Sequence, residues 1–357
     1  MGVLASLHHE GPAMTVRFGI AITNQHPRDV DLAARLAGEL ALVDAAVASG
    51  WDAVSVTQHF LTGALLRGID QVAMLGRLID RTADLLLAVS INLLPLHNPV
   101  AIAEQFASID VMSGGRLVLG VGLGYREEEY AAFGVPRSER VARLEGNLAA
   151  LIELWTSDAP DVDLPWCQVH GLPISVRPVQ QPRPAILMAA NADAAVERAA
   201  RLADGWAINP HGDFATIQRQ LGLFRAERAK AHGAAPASIA LGREIFCAPT
   251  RARAFELARP FLGEKYDTYA EWGQDKALPG DESFRVPFDQ LAQERFIIGS
   301  PADCKQMLSS WATHLGVTDF GLRTNWFGMP HGLAIESARL LATEVFPELR
   351  AELAGVA

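Results

Sequence analysis

The residue best suited to chemistry in this sequence is His59, which directly follows a short apolar run, Ala53–Thr57. Imidazole exchanges a proton near neutral pH, so His59 is a candidate general acid or base. A packed ring bonded to backbone is an equal alternative at this position. Asn92 is a polar residue inside another apolar run, Leu85–Leu94; it either faces a ligand or is satisfied by backbone. Gly120, Gly122 and Gly124 alternate with Val121, Leu123 and Tyr125. A dinucleotide fingerprint needs a third glycine where Tyr125 stands, so that motif fails. Alternate glycines would instead let a flat ligand approach the strand end. Ala190, Asn191 and Ala192 open a helical pattern, where free amides form a cradle for an anion or simply a helix cap. Arg323 and Trp326 follow the last apolar run. The pair suits an anionic aromatic ligand, and Arg323 is equally able to pair with a carboxylate.

The chain has no HExxH, no GxSxG and no phosphate-binding loop of the GxxxxGK type, which removes the common zinc-protease, serine-hydrolase and nucleotide-triphosphatase readings. No His/Asp/Glu cluster shows metal-ligand spacing, so no metal is expected. Cys167, Cys247 and Cys304 are far apart without a CxxC pair; they form neither a disulfide framework nor a zinc site and fit a reducing cytoplasm. With 31 basic against 41 acidic residues, a formal net charge of −10 gives no support for nucleic-acid binding. No apolar stretch reaches membrane-spanning length. Gly, Asn, His and aromatic residues without a metal or nucleophile suggest chemistry borrowed from an organic cofactor.

These residues need elements to position them. Short apolar runs alternate with amphipathic helical patterns along the 357 residues. Strands are expected at Val16–Thr23, Ala53–Thr57, Leu85–Leu94, Leu117–Val121, Ala185–Ala189, Trp206–Ile208, Ile239–Ala248 and Phe320–Arg323. The helices between them are expected near Leu32–Ser49, Ile69–Arg81, Val100–Met112, Glu139–Trp155, Ala194–Leu202, Phe214–His232, from Arg253, at Pro301–Leu315 and at Leu333–Leu353. Such alternation implies parallel pairing through crossovers, and eight units favour a closed (β/α)8 barrel over an open doubly wound sheet. Chemistry then belongs at the strand C-termini. Asp158–Pro184 reads as an insertion with a small hairpin, and Tyr266–Arg295 as a second one. Arg126, Glu127, Glu128 and Glu129 read mostly as a solvated helix start, and Asn98 before Pro99 as a helix cap. Residues 1–14 read as a flexible leader and residues 15–357 as one domain.

The stretch Leu93-Leu94-Pro95-Leu96-His97-Asn98-Pro99-Val100 is followed by Ala103-Glu104 and Ser113-Gly114-Gly115-Arg116-Leu117. Gly120-Val121-Gly122-Leu123-Gly124-Tyr125 comes next, with Phe133-Gly134, then Ala203-Asp204-Gly205-Trp206 and Ile298-Gly299-Ser300-Pro301. Together they resemble the luciferase-like family of flavin-dependent oxidoreductases from Thr15 to Phe346. The resemblance implies a TIM-type barrel with insertions before strand five and between strands seven and eight. It implies reduced FMN at the C-terminal mouth, supplied by a separate flavin reductase, and oxygenation of a small to medium organic substrate with O2. A sister branch implies the deazaflavin coenzyme and hydride transfer instead, and a non-catalytic flavin-binding barrel is the remaining alternative. The family's non-prolyl cis peptide falls on Ser90–Ile91, its catalytic positions fall on Gln58 and His59, and cofactor binding is expected at Ser90, Ile91, Asn92, Gly122, Leu123, Gly124, Tyr125, Ala190, Asn191, Ala192, Arg323 and Trp326. Leu123 stands where an arginine would grip the flavin phosphate, which leaves that task to the amides of Ala190, Asn191 and Ala192 or to another basic residue. Phe60, Leu61, Trp326 and Phe327 are expected to form an apolar wall, the insertions to act as lids, and two copies to pair as a homodimer.

Overall fold

The computed structural model describes residues 16–64, 66–278 and 283–355; the expected leader lies outside them. Arg17–Ala21 forms β1 and Gln25–Pro27 a short β2. Leu32–Ser49 forms α1, as its periodicity predicts, with the Asp31 side chain accepting the amides of Ala33 and Ala34. Gly50 ends it at φ 86°, donating its amide to the Ala46 carbonyl, a left-handed cap that a side chain would strain. Ala53–Val56 is β3, Leu66–Gly68 is β4, Gln71–Leu78 is α2 and Leu86–Asn92 is β5. Pro99–Met112 forms α3, capped by the Asn98 side chain. Leu117–Val121 is β6, Glu127–Ala132 is α4 and Arg140–Thr156 is α5. The expected hairpin is present as antiparallel β7, Asp161–Leu164, and β8, Cys167–His170.

Ala185–Ala189 is β9, Asp193–Leu202 is α6, Gly205–Ile208 is β10 and Phe214–His232 is α7. The ten-residue strand β11, Ser238–Cys247, leads into α8, Arg251–Glu271. This helix is longer than the sequence suggested, so Tyr266 and Tyr269 lie on it and not in an irregular insertion. Phe288–Arg295 is α9 and Phe296–Gly299 is β12, a strand that the reading of the sequence did not separate. Pro301–Leu315 is α10, with a reciprocal cap between Ser300 and Asp303. Asp319–Arg323 is β13. The final helical region divides into α11, His331–Leu340, a π turn at Leu341–Val345 and α12, Phe346–Ala354.

Eight parallel strands close in the order β1, β3, β5, β6, β9, β10, β11, β13, and β13 pairs back onto β1 with Arg17 opposite Asp319. β12 branches from the last four residues of β11, Glu244–Cys247. Phe18, Val54, Leu87, Leu119 and Leu241 are sealed in the main core. Phe18 also stacks on Phe346 at 4.0 Å, joining the first strand to the last helix. A second core lies under α8, α9 and β12 and includes Tyr266, Phe284, Phe296 and Trp326. In such a barrel the strand C-termini form the face, here called the mouth, on which a site is built.

Candidate active site

The loop after β3 is held from three sides. Asn24 donates Nδ2 to the carbonyls of Thr57 (2.6 Å) and Ile69 (2.9 Å), while Thr57 Oγ1 donates to Asn24 Oδ1 at 3.0 Å. Gln58 Oε1 accepts the Gln71 amide at 2.7 Å, so this carboxamide caps α2 and has a positioning task. His59 Nδ1 lies 3.2 Å from Glu129 Oε1, and the same oxygen accepts the Phe60 amide at 2.8 Å. Arg126 Nη1 donates to the Phe60 carbonyl at 2.5 Å and reaches Glu129 at 3.5 Å. Glu127 and Glu128 are exposed as expected, but Glu129 is fully buried, which corrects the reading of 126–129 as a solvated helix start. With Glu129 occupying Nδ1, the free Nε2 of His59 is the atom available to a ligand.

The aromatic surroundings of His59 come from two directions. Its ring is 5.8 Å from Tyr125 and 5.9 Å from Trp272, and Arg126 lies 5.2 Å over the Trp272 ring. Tyr269 stacks on Trp272 at 5.7 Å. Lys265, Tyr269 and Trp272 recur at i, i+4 and i+7 and so share one face of α8 and its C-terminal cap. Burial holds the Tyr125 hydroxyl far above its ordinary range, so it remains a protonated donor. Of the expected wall, Phe60 packs on Phe133 at 4.7 Å. Leu61 is 62 % exposed, whereas Trp326 and Phe327 are sealed inside.

Strands β5 and β6 meet at a register shift between Val89 and Asn92, where the Ser90–Ile91 peptide is cis. A Cβ on Gly120 would stand 2.1 Å from the Val89 carbonyl oxygen, and one on Gly122 would stand 2.2 Å from Ile91 Cδ1. The room these glycines leave is therefore filled by β5 and not by a ligand, which corrects that part of the sequence reading. Gly124 has φ +76° and turns the chain against Leu93. Leu123 offers its carbonyl to the Tyr130 hydroxyl. Ser90 is exposed, and the buried Asn92 Oδ1 has no hydrogen-bond partner.

At the end of β9, Ala190 accepts the Trp206 indole N–H at 3.0 Å. Asn191 accepts the Asn209 amide, and Ala192 caps α6 without a side-chain hydrogen bond. Arg219, on α7, forms a bidentate pair with Asp193 at 2.7 and 2.8 Å, so one basic residue stands beside this helix start. Across the barrel, Arg323 donates to the Ile22 carbonyl at 3.1 Å. Trp326 Nε1 donates to Glu244 Oε2 at 2.5 Å, and the other oxygen of Glu244 pairs with Lys265. Burial lowers the Lys265 ammonium to about 8 against the opposing pull of Glu244. His211 is buried, donating or accepting at Tyr266 (2.9 Å) and Gln274 (2.7 Å). No group of three or more His, Cys, Asp or Glu among the described residues is arranged to hold a metal.

Glu129, Arg126, Glu244 and Lys265 were not singled out in the sequence. A signal existed for the first two: Arg126, Glu129, Tyr130 and Phe133 fall at i, i+3, i+4 and i+7, on one helical face.

A closed (β/α)8 barrel with a histidine, its buried carboxylate and an aromatic wall at the C-terminal mouth defines the class of molecule. The chain belongs to the luciferase-like monooxygenase family, whose sequence model matches residues 16–319. It is 33% identical over 164 residues to an F420-dependent glucose-6-phosphate dehydrogenase of Amycolatopsis mediterranei, covering 44% of this chain and 48% of that one. It is 30% identical over 135 residues to an FMNH2-dependent dimethylsulfone monooxygenase of Pseudomonas putida, covering 37% of each. The chain spans about half or less of the length of such curated relatives. Its fold is that of the monooxygenase RslO1 from Streptomyces bottropensis, with a TM-score of 0.76, 23% identity and coverage of 93% of this chain and 99% of the other. No helix among the described residues is long and apolar enough to cross a membrane.

Proposed function

We propose that this chain is an oxidoreductase that uses reduced FMN and O2 to oxygenate a small to medium organic substrate, with His59 as the proton-handling residue. The observation that carries the reading is the His59–Glu129 contact beside Tyr125 and Trp272. A carboxylate on Nδ1 fixes the tautomer and leaves Nε2 as base or, once protonated, as acid. Gln58 orients this loop through α2.

The residues present fit a flat heteroatom-rich ring system. The buried Asn92 Oδ1 lacks the donor that such a ring would offer, and the exposed Ser90 lies beside it. In this reading Ser90, Ile91, Asn92, Leu123, Gly124 and Tyr125 hold the ring. The amides of Ala190, Asn191 and Ala192 take its phosphate. Reduced FMN, delivered by a separate reductase, would supply two electrons and activate O2. The protein's part is to orient the substrate, exclude water with Phe60, Tyr125, Tyr269 and Trp272, and move one proton at His59 Nε2.

A second reading, hydride transfer with the deazaflavin coenzyme, draws on the same pair: oxidation of an alcohol needs a base for the hydroxyl proton, and an oriented imidazole is one. The F420-dependent relative supports it. Anaerobic titration with reduced FMN and with reduced deazaflavin, followed by admission of O2, separates the two. FMN binding with oxygen-dependent substrate turnover is the expected result. Deazaflavin binding with FMN ignored transfers the assignment to hydride transfer, and binding of neither overturns both.

A further inference from the structure

The mouth carries a positive charge that the protein does not neutralise. Arg323 is the last residue of β13 and is half-buried. Its Nη1 reaches the Ile22 carbonyl, and no carboxylate of the described residues lies within ion-pair distance of it. The nearby carboxylate, Glu244, is already engaged by Lys265 and the Trp326 indole. Glu244 stands opposite Arg323 in the β11–β13 register and pairs with Lys265, whose ammonium lies 5.1 Å over the Tyr269 ring, so Arg323 and Tyr269 flank the same corner of the mouth. The charge of Arg323 draws the Tyr269 hydroxyl down against burial, which still leaves it at about 12. That hydroxyl makes no hydrogen bond to another described residue. The Tyr269 ring continues through Trp272 to His59.

We propose that the substrate is a carboxylate on a flat apolar body, its carboxylate held by the Arg323 guanidinium and the Tyr269 hydroxyl and its body lying along Tyr269 and Trp272 toward His59. The proposal rests on the reading of the mouth as an oxidoreductase site. A guanidinium with unused donors presents a planar fork that a carboxylate fills with two parallel hydrogen bonds, and a spherical or neutral group fills it less well. The cofactor is a poorer claimant. β13 stands across the barrel from β6, four strands away in either direction, whereas the residues assigned to the ring and phosphate lie on the arc β5, β6 and β9. Arg323 thereby moves from the cofactor's side of the site to the substrate's.

The test compares benzoate, benzamide and inorganic phosphate by calorimetry and tryptophan fluorescence, on the cofactor-free chain and on the chain loaded with whichever reduced cofactor it binds. Benzoate is expected to bind about ten- to a hundredfold tighter than benzamide, the span of a charged hydrogen-bonded contact. Arg323→Gln should erase that preference with circular dichroism and cofactor affinity unchanged, and Arg323→Lys should restore part of it. Tyr269→Phe should weaken benzoate alone. Equal binding of benzoate and benzamide, phosphate binding as tight as benzoate, or a preference retained in Arg323→Gln would each overturn the proposal. Loss of cofactor affinity in Arg323→Gln would overturn it as well, by returning this residue to the cofactor. Failure of both cofactors to bind would sink the oxidoreductase reading, while the cofactor-free comparison still judges Arg323.

Discussion

Glu129 and His59 lie 70 residues apart in the chain and meet at 3.2 Å, with the carboxylate wholly inside the protein. Its Oε1 also accepts the Phe60 amide, so one buried oxygen sets both the ring and the loop that carries it. Replacing His59 by Ala should lower turnover by about 10²–10⁴-fold, the usual share of a general acid or base. Glu129→Gln should lower it by a smaller factor, since the amide still has an oxygen for Nδ1. Binding of the reduced cofactor, measured anaerobically, should be unchanged in both. Loss of cofactor binding in the Ala variant would move His59 out of the proton-transfer role.

The Gly120 Cα has no room for a methyl group, because a Cβ would sit 2.1 Å from the Val89 carbonyl oxygen. Backbone cannot swing aside as a flexible side chain can. Gly120→Ala is therefore expected to cost at least about 1–3 kcal/mol, the range for overpacked sites. Gly63→Ala, with nothing within 4 Å of the new atom, should leave the urea midpoint close to wild type. Equal midpoints for the two variants would mean that β5 yields at this crossing.

Lys265 and Glu244 are both buried, and Glu244 also accepts the Trp326 indole N–H. Lys265→Met strands a carboxylate in the interior and should destabilise the chain by about 3–5 kcal/mol. Removing the partner charge as well, in Lys265→Met with Glu244→Gln, should recover most of that loss. Urea denaturation of the two single variants and the double variant measures the coupling. An additive double variant would show that the pair contributes nothing beyond its separate parts.

Acid should weaken the fold through its buried histidines. Burial, with the charges of Arg35 and His331, holds the His26 imidazole down to about 4 from its ordinary 6.5. Burial pushes His97 and His211 in the same direction. Below pH 6.5 the unfolded chain takes up a proton at His26 that the folded chain refuses, so stability falls as pH drops from 6.5 to 4. Over that window His26 alone is worth roughly 3 kcal/mol. Denaturation midpoints at pH 7 and pH 5 should show a shallower pH dependence in His26→Gln than in wild type. An unchanged slope would place the acid sensitivity elsewhere.

The barrel was legible because each crossover helix and buried strand writes its own period into the sequence. Leu32–Ser49, Leu117–Val121, Ala185–Ala189, Phe214–His232 and Pro301–Leu315 fall where the patterns placed them. β12 did not stand out, because Phe296–Gly299 is a four-residue run directly after α9 that pairs only with the far end of β11, outside the eight alternating β–α units that the pattern marks. α8 was cut short in the reading because its aromatic and polar residues resemble a lid when the partner core is unseen. At the site, His59 was legible from its position, whereas Glu129 was hidden in a run of like charges. Burial of one carboxylate among three is decided by the loop it meets, not by the residues beside it. The glycines of β6 were noticed for the right property, closeness, but the sequence does not say which neighbour comes close.

The seam between β1 and β13 sets an order of events for a chain that emerges from the ribosome one residue at a time. Arg17 bonds Asp319 across a separation of 302 residues, so the first strand of the barrel is made long before its second neighbour. Until then β1 has only β3 beside it, and the ring remains an incomplete sheet with two unpaired edges open to other chains. A frameshift or premature stop before β13 would thus leave a product that holds seven of the eight barrel strands and still exposes those edges, a ready substrate for holding chaperones and quality-control proteases.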